Sequence, residues 1–423
     1  VFNLVFGKEN FIYPLLIFNS LLFTIGSYFL SKLILENPVH QAIFIFLFGI
    51  LPPSIKISIL GMEYGILFFL EMALLYFGFK QNKIWAQILF PILILFTRID
   101  TVIFLGIVFL VDIIWTKKVR WFYILGGILG VAVLMSFNWF YFGELVNNTI
   151  VAKSVTYAKN MSLALQWKYF LMNYGNFWGM LKLPGDFNPF TILVLVFEFL
   201  AFLYIVSKRE SKNLFIWIIF LFGWTKQLIF ISQRSYFDWY YWVPQILLFA
   251  VILVFVLEQK TYKFWWISLL LIFYILPMAA FQTVHSIATG NGEWNYRRSI
   301  GLFLKDYEKD KNQYILLEPA GYIPYFSGLK AIDEVGLVDK EIQVEIKKDK
   351  ANYWKNTVEK RKPKYLLAPK NLFEGKDGSF YQENYQLLKE FRIKNHLNSD
   401  NKILEKIYRL KPSGTDYNLY ERK

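Results

Sequence analysis

The residues best suited to chemistry in this chain are charged side chains set inside long apolar stretches. Gly61-Met62-Glu63 opens one such stretch. A carboxylate there lies at a helix N-terminus, where the helix dipole favours its ionised form, and it reads either as a capping acid or as the partner of a substrate hydroxyl or a base. Thr97-Arg98-Ile99-Asp100 places a charged pair between two further stretches. Such a pair is costly beside hydrocarbon, so it is expected to face a wet cavity or to be paired internally. The Arg98 guanidinium can fork onto a phosphate, onto Glu63 or onto Asp100. Lys226 lies near the end of a later stretch, just before Gln233-Arg234-Ser235-Tyr236-Phe237-Asp238-Trp239-Tyr240-Tyr241. It either snorkels to the surface or converges with Arg98 and Arg234 on a phosphate or diphosphate head group. Glu71 is expected on the same helix face as Glu63, whereas Asp112 and Glu198 are expected at interfacial, opposite ends. His40, His285 and His396 are scattered and cysteine is absent, so no metal site, thiolate chemistry or cofactor is assigned, and dependence on a divalent metal is left open.

These residues need elements to hold them, and the composition says what kind. Of 423 residues, 56% are hydrophobic and 20% aromatic, and the mean hydropathy is +0.35, which calls for residence in a bilayer. The apolar residues crowd into the first two thirds, giving an expected multi-pass transmembrane domain over 1–289 and a mixed α/β domain over 290–423. The net charge of +14 is shared between the two parts and forms no strongly basic module, which argues against nucleic acid as a partner.

Ten hydrophobic runs are readable, at about 11–35, 41–60, 64–79, 84–97, 101–115, 121–142, 189–206, 213–231, 239–257 and 264–284. Residues 84–115 taken as one helix would be about 48 Å long, too long for the hydrocarbon core, so a break is expected at Arg98–Asp100. Alternation then puts the short connections around Lys32, Lys80–Lys83, Lys117–Arg120, Lys208–Lys212 and Lys260–Lys263, with 11 Lys/Arg among them, on the opposite face. The positive-inside rule makes that face cytoplasmic. Glu63, the Arg98–Asp100 turn, the 143–188 loop, the 232–238 loop and the C-terminal domain are then expected outside.

The 143–188 loop is too long to be a simple connector. Its aromatic residues, Tyr157, Trp167, Tyr169, Tyr174 and Trp178, suit an interfacial belt or a cover over substrate. Gly290-Asn291-Gly292 reads as a linker, followed by a helix over 293–309, strands at 314–317, 364–368, 402–410 and 417–420, and a helix near 353–360.

The order and content of these motifs resemble the GT-C class of membrane glycosyltransferases, and within it the bacterial branch that includes mycobacterial arabinofuranosyltransferases. Gly61-Met62-Glu63 resembles that branch's Gly-Leu/Met-Glu motif, and Thr97-Arg98-Ile99-Asp100 its Thr-Arg-Pro-Asp/Glu turn, with Ile99 in place of proline. Gly143-Glu144-Leu145-Val146-Asn147-Asn148-Thr149 with Ala152-Lys153 resembles a Gly-x-Leu-x-Pro-Asn-Thr segment followed by Ala-Lys. The stretches Glu318–Gly328 and Ile332–Asp339 are similar to the branch's outer-domain signature.

The resemblance implies sugar transfer from a polyprenyl-phosphate donor to a cell-envelope glycan or lipid acceptor at the outer face of the cytoplasmic membrane. Arg98, Lys226 and Arg234 would bind the donor phosphate. Glu63, Asp100, Asn148, Lys153, Asp238, Trp239 and Tyr240 would bind substrate or shape the site. The branch's catalytic aspartate lies in the first outer loop, and this sequence is expected to begin just beyond that loop, so the catalytic base is left unassigned. A transporter or flippase of lipid-linked saccharide, and a non-catalytic envelope assembly protein, are the alternative functions.

Overall fold

A computed structural model describes residues 5–7, 10–59, 62–145, 149, 152, 155–156, 162–177, 189–208, 210–232, 239–259, 263–395, 402, 405–406 and 415–423. Contacts divide the chain into two units, one comprising 1–145 and 160–283, the other 146–159 and 284–423.

The first unit is α-helical. Helix α1 (Ile12–Ile34) is followed by α2 (Pro38–Gly49), which starts cleanly because Asn37 Oδ1 accepts from the amides of Val39 at 2.8 Å and His40 at 3.4 Å, satisfying donors that have no intrahelical partner. The run 41–60 does not form one helix. Pro52 and Pro53 lack amide donors and their rings clash with the preceding turn, so α2 ends and α3 (Pro52–Ile59) leaves at 70°. Helix α4 (Tyr64–Ala73) relaxes into a π-helical turn over Leu74–Lys80.

Helix α5 (Ile84–Thr97) ends at Arg98, whose backbone is extended, and a 3-10 turn over Ile99–Thr101 leads into α6 (Val102–Thr116). The break required by length is thus present, and it falls on the charged residues. Helix α7 (Trp121–Phe142) packs against α5 through Gly126 and Gly130. A Cβ on Gly126 would lie 2.6 Å from the Gln87 carbonyl oxygen and 2.7 Å from that of Ile88. The two glycines are a small-xxx-small pair that admits the neighbouring backbone.

Helices α8 (Leu163–Phe177), α9 (Pro189–Ser207), α10 (Asn213–Ser232) and α11 (Trp239–Leu257) complete the unit. Helix α11 is buried along nearly its whole length and forms the centre of the apolar core. Among the described residues, five spans are long and apolar enough to cross a membrane: Ile12–Ile34, Ile99–Thr116, Trp121–Phe142, Asn213–Ser232 and Trp239–Leu257. The bent pair α2 and α3 makes a sixth if it is one span. The unit is therefore a multi-pass membrane domain.

Helix α12 (Lys263–Tyr307) corrects one expectation. Gly290-Asn291-Gly292 is not a linker, because the helix runs through it for 45 residues. Glycine lowers helix propensity by about 1 kcal/mol per residue, but with helix already propagated on both sides no new nucleation is needed.

In the second unit, β1 (Tyr314–Leu317), α13 (Tyr322–Ser327), β2 (Lys330–Asp333), α14 (Lys340–Lys348), α15 (Tyr353–Arg361), β3 (Tyr365–Ala368), α16 (Gly378–Asn384), β4 (Tyr385–Phe391) and β5 (Tyr417–Arg422) follow in order. The sheet order is β2-β1-β3-β5-β4, with β1 parallel to β2 and β3, and β5 antiparallel to β3 and β4. Successive side chains point to opposite faces. Ile315, Leu317 and Leu419 join Tyr296, Ile300 and Leu304 of α12 on one face, whereas Leu316, Leu366 and Tyr420 join Ile342, Ile346 and Val358 on the other.

Of the expected strand at 402–410, the described residues Lys402, Glu405 and Lys406 are helical, and the rest lies outside the described residues. The apolar residues Ile403, Leu404 and Ile407 recur at a spacing of three to four, which is helical rather than alternating. The strands β2 and β4 are additions to the expected set.

Part of the 143–188 loop belongs to this unit. Ala152 is fully buried and Val155 packs on the α14–α15 face of the core. The Thr156 hydroxyl donates to the Val335 carbonyl at 2.9 Å, and the Lys350 ammonium donates to the Thr156 carbonyl at 3.0 Å.

Candidate functional site

The ends of α4, α5, α6 and α11 and the last third of α10 bring the charged residues of the membrane unit together. Arg98 follows directly on α5, and its extended backbone lets the side chain turn back towards α4. Its guanidinium pairs with the Glu63 carboxylate and donates from Nε to Asp100 Oδ1 at 2.8 Å. The other Asp100 oxygen is 3.2 Å from Lys226 Nζ. One carboxylate therefore holds two cations, and the row runs Glu63, Arg98, Asp100, Lys226.

Aromatic rings fix the plane of the guanidinium. Arg98 Cζ lies 5.0 Å from the centroid of Tyr64 and 5.2 Å from that of Tyr240, within the range where ring quadrupoles attract a cation. Gly65, next to Tyr64, lets α1 come close to α4, since any Cβ there would run into Asn19 of α1.

Burial within the row is uneven. The Lys226 side chain is 1% exposed, that of Arg98 13%, Asp100 17% and Glu63 38%. Lys226 accordingly does not snorkel; it reaches inward to an anion. Glu63 makes no capping hydrogen bond although it stands at the start of α4, and serves as the partner of Arg98 instead.

Glu71 lies farther along α4, fully buried. Its neighbouring charges are Lys226, Asp100 and Arg98, and neither of its oxygens has a hydrogen-bond partner among the described residues. Trp239 opens α11 beside Tyr240, with ring centroids 6.3 Å apart. Asn148, Lys153, Arg234 and Asp238 lie outside the described residues, so of the three expected phosphate-binding cations two, Arg98 and Lys226, are brought together.

Sequence reasoning passed over Lys56. Its ammonium lies 5.6 Å from the Trp242 ring, and that ring is 6.2 Å from Tyr64, the same ring that faces Arg98. The signal was available as a lone lysine inside the 41–60 run.

Two expectations about acids in the membrane unit fare differently. Asp112 pairs with Arg120 Nε at 2.9 Å, beside the Lys117–Arg120 connection. Glu198 is not interfacial. It is fully buried, and both its oxygens lie 2.5 Å from the Tyr174 hydroxyl. The reason is that α8 of the long loop packs alongside α9, with the Thr191 hydroxyl donating to the Leu171 carbonyl at 3.3 Å. Phe170 and Tyr174 join Phe230, Tyr240 and Tyr241 in one apolar cluster, whereas Trp167 is exposed. Of the loop's expected aromatic residues Trp167 thus faces outward and Tyr174 inward, while Tyr157, Trp178 and the Tyr169 side chain lie outside the described residues.

In the α/β unit the resembling segments do structural work. Asp333 Oδ1 accepts from the Val335 amide at 3.1 Å, and Oδ2 from the amides of Leu337 at 2.6 Å and Val338 at 3.1 Å. Asp339 caps α14 through the Glu341 amide and pairs with Arg361 at 2.5 Å. Glu334 is pushed up to about 7 by burial and by the nearby Glu318 carboxylate, against the opposing hydrogen bond from Trp354. Glu308 is drawn down to about 2: burial raises it, but hydrogen bonds from Lys364, the Asp310 amide and Tyr365 outweigh burial.

Fold and site define a class: a multi-pass α-helical membrane protein joined to a small mixed α/β domain, with a buried ion-pair row at the ends of its helices. A family model described as a domain of unknown function (DUF8728) matches residues 285–420, the α/β portion. No curated protein and no solved structure matches the chain.

Proposed function

We propose that the membrane unit binds the phosphate of a polyprenyl-phosphate-linked sugar and that the protein transfers this sugar to a glycan or lipid acceptor of the cell envelope. In this reading the ten hydrophobic runs form a GT-C-like domain in the cytoplasmic membrane, and the site and the α/β domain face outward. The observation that carries it is the convergence of Arg98 and Lys226 on Asp100, with the guanidinium held between Tyr64 and Tyr240. Charged residues kept at such a depth mark substrate paths in membrane proteins.

In the transfer, the bond from the anomeric carbon to the phosphate oxygen breaks and a bond to the acceptor oxygen forms. The acceptor proton passes to a base, and the lipid leaves as a phosphate monoester. Cations that meet the charge growing on the leaving phosphate lower the barrier. Arg98 is suited to this by its planar fork and Lys226 by its compact charge.

The test uses the purified full chain in lipid nanodiscs with a polyprenyl-phosphate sugar, reading donor binding and sugar transfer. Arg98→Ala is expected to insert normally and to lose both. Wild-type binding by that variant would overturn the reading. Transfer by wild type in detergent, where no second compartment exists, would also separate an enzyme from a flippase.

A further inference from the structure

The ion-pair row is complete within the protein: Arg98 already has Glu63 and Asp100, and Lys226 already has Asp100. An incoming anion therefore meets compensated cations rather than a positive pocket. The two carboxylates are not equivalent. Asp100 is held by both cations and is 17% exposed, whereas among the described residues Glu63 pairs with Arg98 and with no second cation, and its side chain is 38% exposed. Glu63 holds the Nη1 side of Arg98 and is the more exposed of its two carboxylate partners.

We propose that Glu63 is a competing carboxylate that must yield Arg98 to the lipid phosphate and that, by returning, favours release of the phosphomonoester product over the phosphodiester donor. This rests on the phosphate-binding reading of the same site. The donor diester carries one negative charge, and the monoester between about 1.5 and 2 at neutral pH. Repulsion from a neighbouring carboxylate grows with the charge of the anion, so Glu63 disfavours the product more than the donor. Asp100, fixed from two sides, positions Arg98 and takes no part in the exchange.

The experiment measures equilibrium binding of two probes, farnesyl phosphate and its methyl diester, to the full chain in nanodiscs at pH 7.5. It uses wild type, Glu63→Gln, Glu63→Asp and Arg98→Ala. Removing the Glu63 charge is expected to tighten monoester binding more than diester binding, with the ratio of the two affinities changing on the order of tenfold. Glu63→Asp, which keeps the charge, is expected to restore the wild-type ratio. A merely structural Glu63 would alter both affinities alike and leave the ratio fixed, which overturns the inference while the phosphate reading stands. If wild type and Arg98→Ala bind both probes equally, the phosphate reading itself fails. Should Glu63→Gln not be recovered folded, the ratio in Glu63→Ser decides by the same criterion.

Discussion

Asp100 holds two cations, and the consequence can be measured as a double-mutant cycle with Lys226. Asp100→Asn keeps the shape but removes the charge, leaving a 1% exposed ammonium without its paired carboxylate. An uncompensated buried charge costs ~3–5 kcal/mol. Lys226→Met removes the buried charge and fills its volume, while Asp100 keeps the Arg98 Nε contact at 2.8 Å; losing one charge-assisted bond costs ~1.5–3 kcal/mol. In the double variant no orphan ammonium remains, so its cost is expected to fall near that of Lys226→Met alone, ~1.5–3 kcal/mol. The double variant should then be more stable than Asp100→Asn, and because its cost matches that of Lys226→Met the coupling between these touching residues equals the Asp100→Asn cost, ~3–5 kcal/mol. Reversible unfolding of the full chain in mixed micelles reads all four corners. The reasoning is refuted if Asp100→Asn unfolds no more readily than Lys226→Met, or if the two costs simply add. Either result would mean that Glu71, not Asp100, neutralises the lysine.

Three further outcomes are expected. Gly126→Val would drive its side chain into the Gln87 and Ile88 carbonyls, costing at least ~1–3 kcal/mol by overpacking; cysteine cross-linking between α5 and α7 should report their separation. Tyr174→Phe removes the hydroxyl from a fully buried Glu198 at ~1–3 kcal/mol, and hydrogen exchange over Leu163–Phe177 should rise while that of α11 does not. For Glu334, the folded value of about 7 lies above the unfolded carboxylate's 4.5, so the folded state binds more protons between these values and stability falls as pH rises through that window. Glu334→Gln should flatten this fall, read as exchange protection at Ile332–Leu337 between pH 5 and 8, and an unchanged slope would reject the assignment.

The membrane helices were legible because their signal is local: apolar runs end at charges or prolines, and the length of 84–115 alone forces the break at Arg98. The placement of Glu63, Arg98 and Asp100 on one face followed from counting alternations, and their contacts agree with it. What escaped was long-range pairing. Glu198 looked interfacial because nothing in its own helix tells that Tyr174 comes to meet it. Residues 290–292 looked like a linker because glycine signals turns in isolation, whereas the helix around them was already formed. Gly126 and Gly130 carried a readable four-residue spacing whose meaning depended on a partner helix, α5, two helices earlier in the chain. Lys56 lost its significance in a hydrophobicity average and regained it once Trp242 and Tyr64 stood beside it.

The arm carrying Ala152, Val155 and Thr156 bears on how this protein can be taken apart. Its residues fill a place in the α/β core and hydrogen-bond to Val335 and Lys350, yet they are encoded more than a hundred positions before the rest of that unit. The stretch 285–420 that the family model covers is thus not a detachable module. Grafted onto another membrane protein, it would arrive with a missing wedge, and a working chimaera would have to transplant the arm from between two membrane helices as well.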